Sequence, residues 1–337
     1  MGAVTPRLAL RWSALLIFSL PMARCTAAQT PSPALLVLEK DDEKLDIVDP
    51  ANLRIVARIP SGGAPHEVVA SADGRFAYIS NYASQQLGQL KTISVVDLTA
   101  QKPLPSVDLG VLRAPHGLWF ADGKVYFTAE ANKVIGRYDP AANQIDWVLG
   151  TGQNFTHMVA VSPDLKRIFT SNIGSDTICQ IEDGPGRGGW NVTAIPVGKG
   201  PEGFDLSPDG KEVWAANSGE GTVSIVDTTL KKVTQTLDVK TKHSNRLKFT
   251  PDGKLVLISD PEAGELVIVD VASRAVRKRL RVGKDPEGTL VTPDGTRAYV
   301  ALSGDNAVAV IDLQTLEITA KLQTGKDPDG LAWAARK

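Results

Sequence analysis

The sequence predicts an all-β chain folded as a seven-bladed β-propeller of four-stranded antiparallel blades. Three observations carry this: a repeat of about forty residues, an acidic residue that closes the third strand of every copy, and incomplete copies at the two ends that complement each other. The repeat is plainest where "GPEGFDLSPDGKEVWAANSGEGTVSIVDTTLKKVTQTL" from Gly200 aligns without a gap on "DPEGTLVTPDGTRAYVALSGDNAVAVIDLQTLEITAKL" from Asp285. Each copy reads as a strand, a Pro-Asp-Gly turn, a second strand, a Gly/Asn loop, a third strand ending in an acid, and a fourth strand after a short polar turn.

The closing acids are Asp49, Asp97, Asp139, Glu182, Asp227, Asp270 and Asp312, which sets the count of units at seven. A carboxylate there accepts hydrogen bonds from the backbone N–H groups of the turn that follows, so these residues are structural. Residues 34–60, beginning "ALLVLEK", supply only the last three strands of a unit, and the C-terminal "DPDGLAWAARK" supplies only a first strand. Joined, they make one blade and close the ring without an exposed edge.

Around this frame the composition is that of a globular chain. Its 337 residues are 42% hydrophobic and carry 37 basic against 38 acidic side chains, a balance that argues against a nucleic-acid groove. Residues 1–28 read as a secretory signal: Arg7 and Arg11, an apolar stretch from Ser13 to Ala23, then small residues before Gln29. Arg24 immediately before Cys25 argues against lipid attachment at that cysteine. Residues 29–33 are a short linker and 34–337 the propeller. The expected product is periplasmic or secreted, with no membrane span in the mature chain. Cys179 is then the only thiol left, a small buried apolar residue rather than half of a disulfide.

The second-strand endings "AYISN" (77–81), "IFTSN" (168–172) and "EVWAAN" (212–217), with the recurrent "SPDG", "TPDG" and "VGKDPEG", resemble the YVTN-type repeat of bacterial, exported propeller proteins. The resemblance covers the chain from about residue 34 onward and implies the same fold. It leaves the chemistry open, since one fold hosts many functions.

Function has to be read from the start of each first strand, where a propeller brings one residue per blade to the mouth of its central channel. In ring order those residues are His66, His116, His157, Glu202, Asn245, Glu287 and Asp329. Three of the four histidines thus occupy one repeat position in consecutive blades. Neutral imidazoles converging on one point offer lone pairs to a metal, and a nearby carboxylate balances its charge. The expected ligands are His66, His116, His157 and Glu202, around zinc, copper, iron or manganese. The alternative for each histidine is a solvated or hydrogen-bonded polar residue at a position that tolerates any polar group.

The ends of the second strands, Asn81, Glu130, Asn172, Asn217 and Asp260, are placed by the same count on the same face. Glu130 departs from the asparagine pattern and is read as a fourth ligand, an orienting acceptor, a general base, or a mere loop cap. Arg246, replacing the usual glycine, is either an ion-pair partner of Glu202 and Glu287 or a clamp for an anionic ligand. Glu287 is taken to contact the ligand, and His243 is read as a loop residue. "GPGRGG" at 184–189 reads as a flexible loop, and Trp119, Trp147, Trp190, Trp214 and Trp333 as packing between blades.

Two functions follow. In the first, the mouth is a metal site acting on a small polar or anionic molecule bound in the channel, as a lyase or a lactonase-type hydrolase. In architecture this resembles propeller lyases and nitrous oxide reductase, whose channel-facing histidines hold metal. In the second, the ring is a non-catalytic scaffold for a periplasmic protein partner in a redox or quinone-dependent system. A propeller of the haem d1 kind is a third possibility, but no residue pattern demands haem.

Overall fold

A computed structural model describes residues 1–3, 29–84, 86, 88–184 and 189–336. The expected signal segment and most of the 184–189 loop therefore lie outside the described residues. The described chain forms seven four-stranded antiparallel sheets. Blade 1 begins with the strand Pro65–Ala70, blade 2 with Pro115–Ala121, blade 3 with Thr156–Val161, blade 4 with Pro201–Leu206, blade 5 with Leu247–Phe249 and blade 6 with Pro286–Val291. Blade 7 is assembled from both ends: Pro328–Ala334 pairs antiparallel with Ala34–Glu39, followed by Lys44–Asp49 and Arg54–Pro60. Leu35 faces Trp333 and Leu36 faces Ala332 in that register, the ring closure that the truncated end copies predict.

The first strands touch one another in sequence, blade 7 against blade 1 completing the circle. Close approach here demands glycine. A Cβ at Gly288 would stand 2.0 Å from the carbonyl oxygen of Asp329 in the next blade, and one at Gly203 would stand 2.3 Å from that of Asn245.

Seven apolar clusters fill the seven gaps between blades. Ile47 and Leu36 of blade 7 meet Ile79 and Val96 of blade 1, and Trp214 and Val223 of blade 4 meet Val256 and Val267 of blade 5. Strand residues that alternate inside one blade therefore have apolar partners on both faces, each fully buried aliphatic contributing about 1.5–3 kcal/mol. Cys179 is a buried free thiol in the gap between blades 2 and 3.

The structural reading of the closing acids holds in six copies. Asp97, for example, accepts from the N–H groups of Thr99 and Ala100, and Asp312 from those of Gln314 and Thr315. Glu182 differs. Its strand runs on to Asp183, and its longer side chain reaches the ammonium of Lys231 in the next blade.

Candidate functional site

Two sequence features aim the mouth residues. In six blades the residue two places before the mouth position has a left-handed backbone: Ala64, Ala114, Phe155, Gly200, Asp285 and Asp327. Its carbonyl accepts the N–H of the residue that follows the second strand's last pairing, as Glu130 N–H does to Ala114 and Ser218 N–H to Gly200. The chain then turns sharply into the first strand, and the mouth side chain points over the pore. Hydroxyls of the second strands hold the next blade's mouth backbone: Thr128 donates to the carbonyl of His157, and Ser171 to that of Glu202.

All seven mouth residues line one cavity of about 360 Å³, together with Lys40, Tyr82, Phe155, Ile173, Ser218, His243 and Arg246. The cavity has two unlike halves. On one side the rings of His66, His116, His157 and Tyr82 pack together. The His116 and His157 ring centres are 3.9 Å apart, those of His66 and His116 5.3 Å, and Tyr82 stands edge-on to His116 at 5.0 Å. On the other side stand Glu202, Asn245, Glu287 and Asp329 with the cations Lys40 and Arg246.

The aromatic half contains a group of three possible metal ligands. His116, Glu130 and His157 are buried, and their donor atoms lie within 4.8 Å of one another. His157 Nδ1 is 2.6 Å from Glu130 Oε1, and the Tyr82 hydroxyl donates to Glu130 Oε2. With both its oxygens engaged, Glu130 is an orienting acceptor: it keeps the proton on His157 Nδ1 and leaves Nε2 with its lone pair. That Nε2 is buried and without a hydrogen-bond partner, and so is His116 Nδ1. Buried polar atoms are almost always paired, so two orphaned imidazole nitrogens on neighbouring rings fit a bound cation.

Burial holds His116 well below the ordinary imidazole range, with the neighbouring His157 and His66 opposing a charge further. Burial likewise lowers His66, to about 4. Both are therefore neutral near pH 7, the form a metal needs.

Two of the four expected ligands, His116 and His157, belong to this group. His66 and Glu202 stand outside the group of three, and Glu130 stands in it. His66 packs against Tyr82 and His116, with its Nδ1 3.4 Å from the carbonyl of Ala64. Glu202 accepts from the Asn245 amide at 2.8 Å, and His243 lies 3.8 Å from its other oxygen.

The reason Glu130 faces the cavity also differs from the expected one. Pairing sets Ala129, not Glu130, at the position of Asn81, Asn172 and Asn217. Those asparagines are buried and bonded within their blades, Asn81 for instance accepting from Ser94 and donating to Ser61. Glu130 corresponds to Tyr82, Ile173, Ser218 and Lys40, one residue further on. A shift of one residue turns a strand side chain to the opposite face, which is how Glu130 and Tyr82 come to meet.

Arg246 makes an ion pair whose principal partner was not among the expected ones. Its guanidinium meets Glu67 across the ring, donates to Asn245 at 3.0 Å, and lies 4.0 Å from Glu202. Glu67 and Arg246 both occupy the repeat position filled by glycine in blades 2, 4, 6 and 7; Met158 departs from glycine as well, so the departures alone did not single out the pair. Arg246 also lines a second cavity of about 580 Å³ deeper in the channel, among Trp119, Phe120, Phe204 and Trp333. Arg246 thus stands at the junction of the two.

Glu287 is bound to Lys40 at 2.7 Å, and Lys40 is 3.4 Å from Asp329. Burial and the charge of Asp329 push Glu287 up to about 7 despite Lys40. Burial would raise Asp329 also, but Lys40 and Arg246 hold its carboxyl below the usual range.

Fold and site define an all-β ring with a histidine-rich mouth, and the likenesses to known proteins agree with the ring. The family model described as the choice-of-anchor I domain matches residues 185–327. Among solved structures, the chain is similar to the periplasmic gluconolactonase PpgL of Pseudomonas aeruginosa, with 17% identity, 91% of this chain and 100% of that one covered, and a TM-score of 0.73. A Bacteroides uniformis protein provisionally assigned as a 6-phosphogluconolactonase is 17% identical over 90% of this chain and 99% of its own, at a TM-score of 0.72. Kuenenia stuttgartiensis hydrazine synthase is 21% identical over 80% and 89%, at 0.65. At these identities the shared property is the fold. No curated protein matches the chain.

Proposed function

We propose that this chain is an exported, metal-dependent hydrolase that opens a small cyclic ester at the mouth of its ring. The observation that carries the reading is the pair of unpartnered, buried nitrogens, His116 Nδ1 and His157 Nε2, beside Glu130. A divalent transition metal held there would polarise an ester carbonyl and make bound water acidic enough to attack near neutral pH. His116 and His157 would hold it, Glu130 would fix the tautomer of His157, and Tyr82 would fix Glu130.

In the overall reaction a water oxygen bonds to the carbonyl carbon, the ring C–O bond breaks, and the departing alkoxide takes a proton. Glu287, raised to about 7 and lining the same cavity, is the group able to hold that proton near neutrality. The two cations of the mouth are already paired, Lys40 with Glu287 and Arg246 with Glu67. Away from the metal, the mouth therefore offers Glu202 and Asp329 to the substrate and no unpaired side-chain cation to an anionic group, which favours a neutral polar molecule. Support from propellers of like fold is limited to names: one gluconolactonase and two Bacteroides proteins provisionally assigned as 6-phosphogluconolactonases. The periplasmic setting is proposed on the signal-like N-terminus. Among the described residues no helix is long and apolar enough to cross a membrane.

The test is metal content together with lactone hydrolysis. Purified protein loaded with Zn²⁺ or Mn²⁺ should retain one ion per chain and hydrolyse a neutral lactone, and His116→Ala and His157→Ala should lose both. Wild-type protein that retains no metal leaves only the scaffold reading.

A further inference from the structure

We infer that Phe155 is a binding platform for the apolar face of a ring-shaped, hydroxylated ligand. This deepens the hydrolase reading and rests on it for the identity of the pocket. The observations are independent of one another. Phe155 holds the left-handed position, φ 57°, that the other blades fill with Ala64, Ala114, Gly200, Asp285 and Asp327. For a bulky residue this backbone is unfavourable, and such outliers cluster where function maintains them.

The Phe155 side chain does not repay that cost by joining the core. It is 42% exposed, one of the few large apolar side chains on the surface. Its ring lies parallel to that of His157, 9° between planes and 5.8 Å between centres, and it borders the mouth cavity. The glycine or aspartate carried by Gly200, Asp285 and Asp327 would relieve the backbone, and any of the partners' residues would expose less hydrocarbon to water. Leu165 shares the backbone, φ 60°, and is 45% exposed; what sets Phe155 apart is that it borders the mouth cavity, where a ligand would cover it.

The polar part of the lining says what that is. Glu202, Asn245, Glu287 and Asp329 present acceptors to the same cavity, and Ser218 adds a hydroxyl. A ligand touching Phe155 and these acceptors has an apolar C–H face and several O–H donors, as a cyclic polyol does. A cavity of about 360 Å³ holds one such ring. An open-chain polyol has the hydroxyls without a rigid face to stack, and must also be ordered on binding.

The experiment measures binding without turnover, using 1,5-anhydro-D-glucitol as the ring and sorbitol as the open chain, by titration calorimetry or saturation-transfer NMR. Wild-type protein should prefer the ring. Phe155→Asn, which suits the left-handed backbone, should keep or raise Tm and weaken ring binding about five-fold, the factor an aromatic contact supplies. Phe155→Tyr should restore it. Equal ring binding by wild type and Phe155→Asn, absence of ring binding by wild type, or a Tm lowered by several degrees in Phe155→Asn overturns the inference. Ring binding that depends on Phe155 in a protein that holds no metal and opens no lactone sustains the platform and overturns the hydrolase instead.

Discussion

His157 and Glu130 form a buried pair, Nδ1 to Oε1 at 2.6 Å, that joins blade 3 to blade 2 and decides which imidazole nitrogen faces the possible metal. The carboxylate acts through the ring rather than on a substrate. Carboxylate partners of metal-binding histidines contribute ten- to a hundred-fold to affinity.

Glu130→Gln should accordingly weaken Zn²⁺ binding by about ten- to a hundred-fold while leaving the fold intact, measured by competition with a chromogenic chelator. An unchanged affinity would remove Glu130 from the site.

The placement of the four expected ligands is separable by stoichiometry. His116→Ala and His157→Ala should each abolish tight metal binding, whereas Glu202→Gln should leave the stoichiometry at one ion per chain. Loss of the ion in Glu202→Gln would restore the sequence-derived ligand set over the observed group.

Glu67 and Arg246 are a pair with little exposure, 14% and 6% for their side chains. Removing one partner leaves the other charge buried, at a cost of about 3–5 kcal/mol, while replacing both with uncharged groups is often close to neutral. Glu67→Gln and Arg246→Met should each lower stability to urea by about that amount, and the double variant should recover most of it. Simple addition of the two losses would show that the groups do not depend on each other.

Blade 7 predicts a pH effect. Asp46 and Glu39 lie fully buried on neighbouring strands, with Arg58 3.1 Å from Asp46 and 3.7 Å from Glu39. Burial and the adjacent Glu39 push the Asp46 carboxyl up from 3.8 to about 8. A folded pKa above the unfolded one contributes stability that is full below pH 3.8 and is lost as pH rises toward 8. Wild-type protein should therefore lose part of its urea resistance between pH 4.5 and 8.5, and Asp46→Asn should lose less. Parallel pH profiles for the two proteins would contradict the assignment.

The ring itself was legible because every level of the sequence repeats it: turn acids, Asp-Gly turns, alternating apolar strands and complementary ends agree on one register. The mouth was legible for the same reason, since His66, His116, His157, Glu202, Asn245, Glu287 and Asp329 share a repeat position and do line one cavity. What escaped were contacts made between unlike positions. Glu130 aligns by eye with asparagines, and only strand pairing shows that it stands one residue beyond them, beside Tyr82. Glu67 and Arg246 lie 179 positions apart and meet across the pore, a juxtaposition that no local pattern encodes. Phe155 was passed over because a repeat comparison weighs polar residues at the mouth and not the backbone angle two places before them.

The Glu67–Arg246 bridge also ties blade 1 to blade 5 across the pore, at the junction of the two cavities that Arg246 lines. A fastening between blades that are not neighbours braces the ring by a strut, beside the hoop made by strand pairing at its closure.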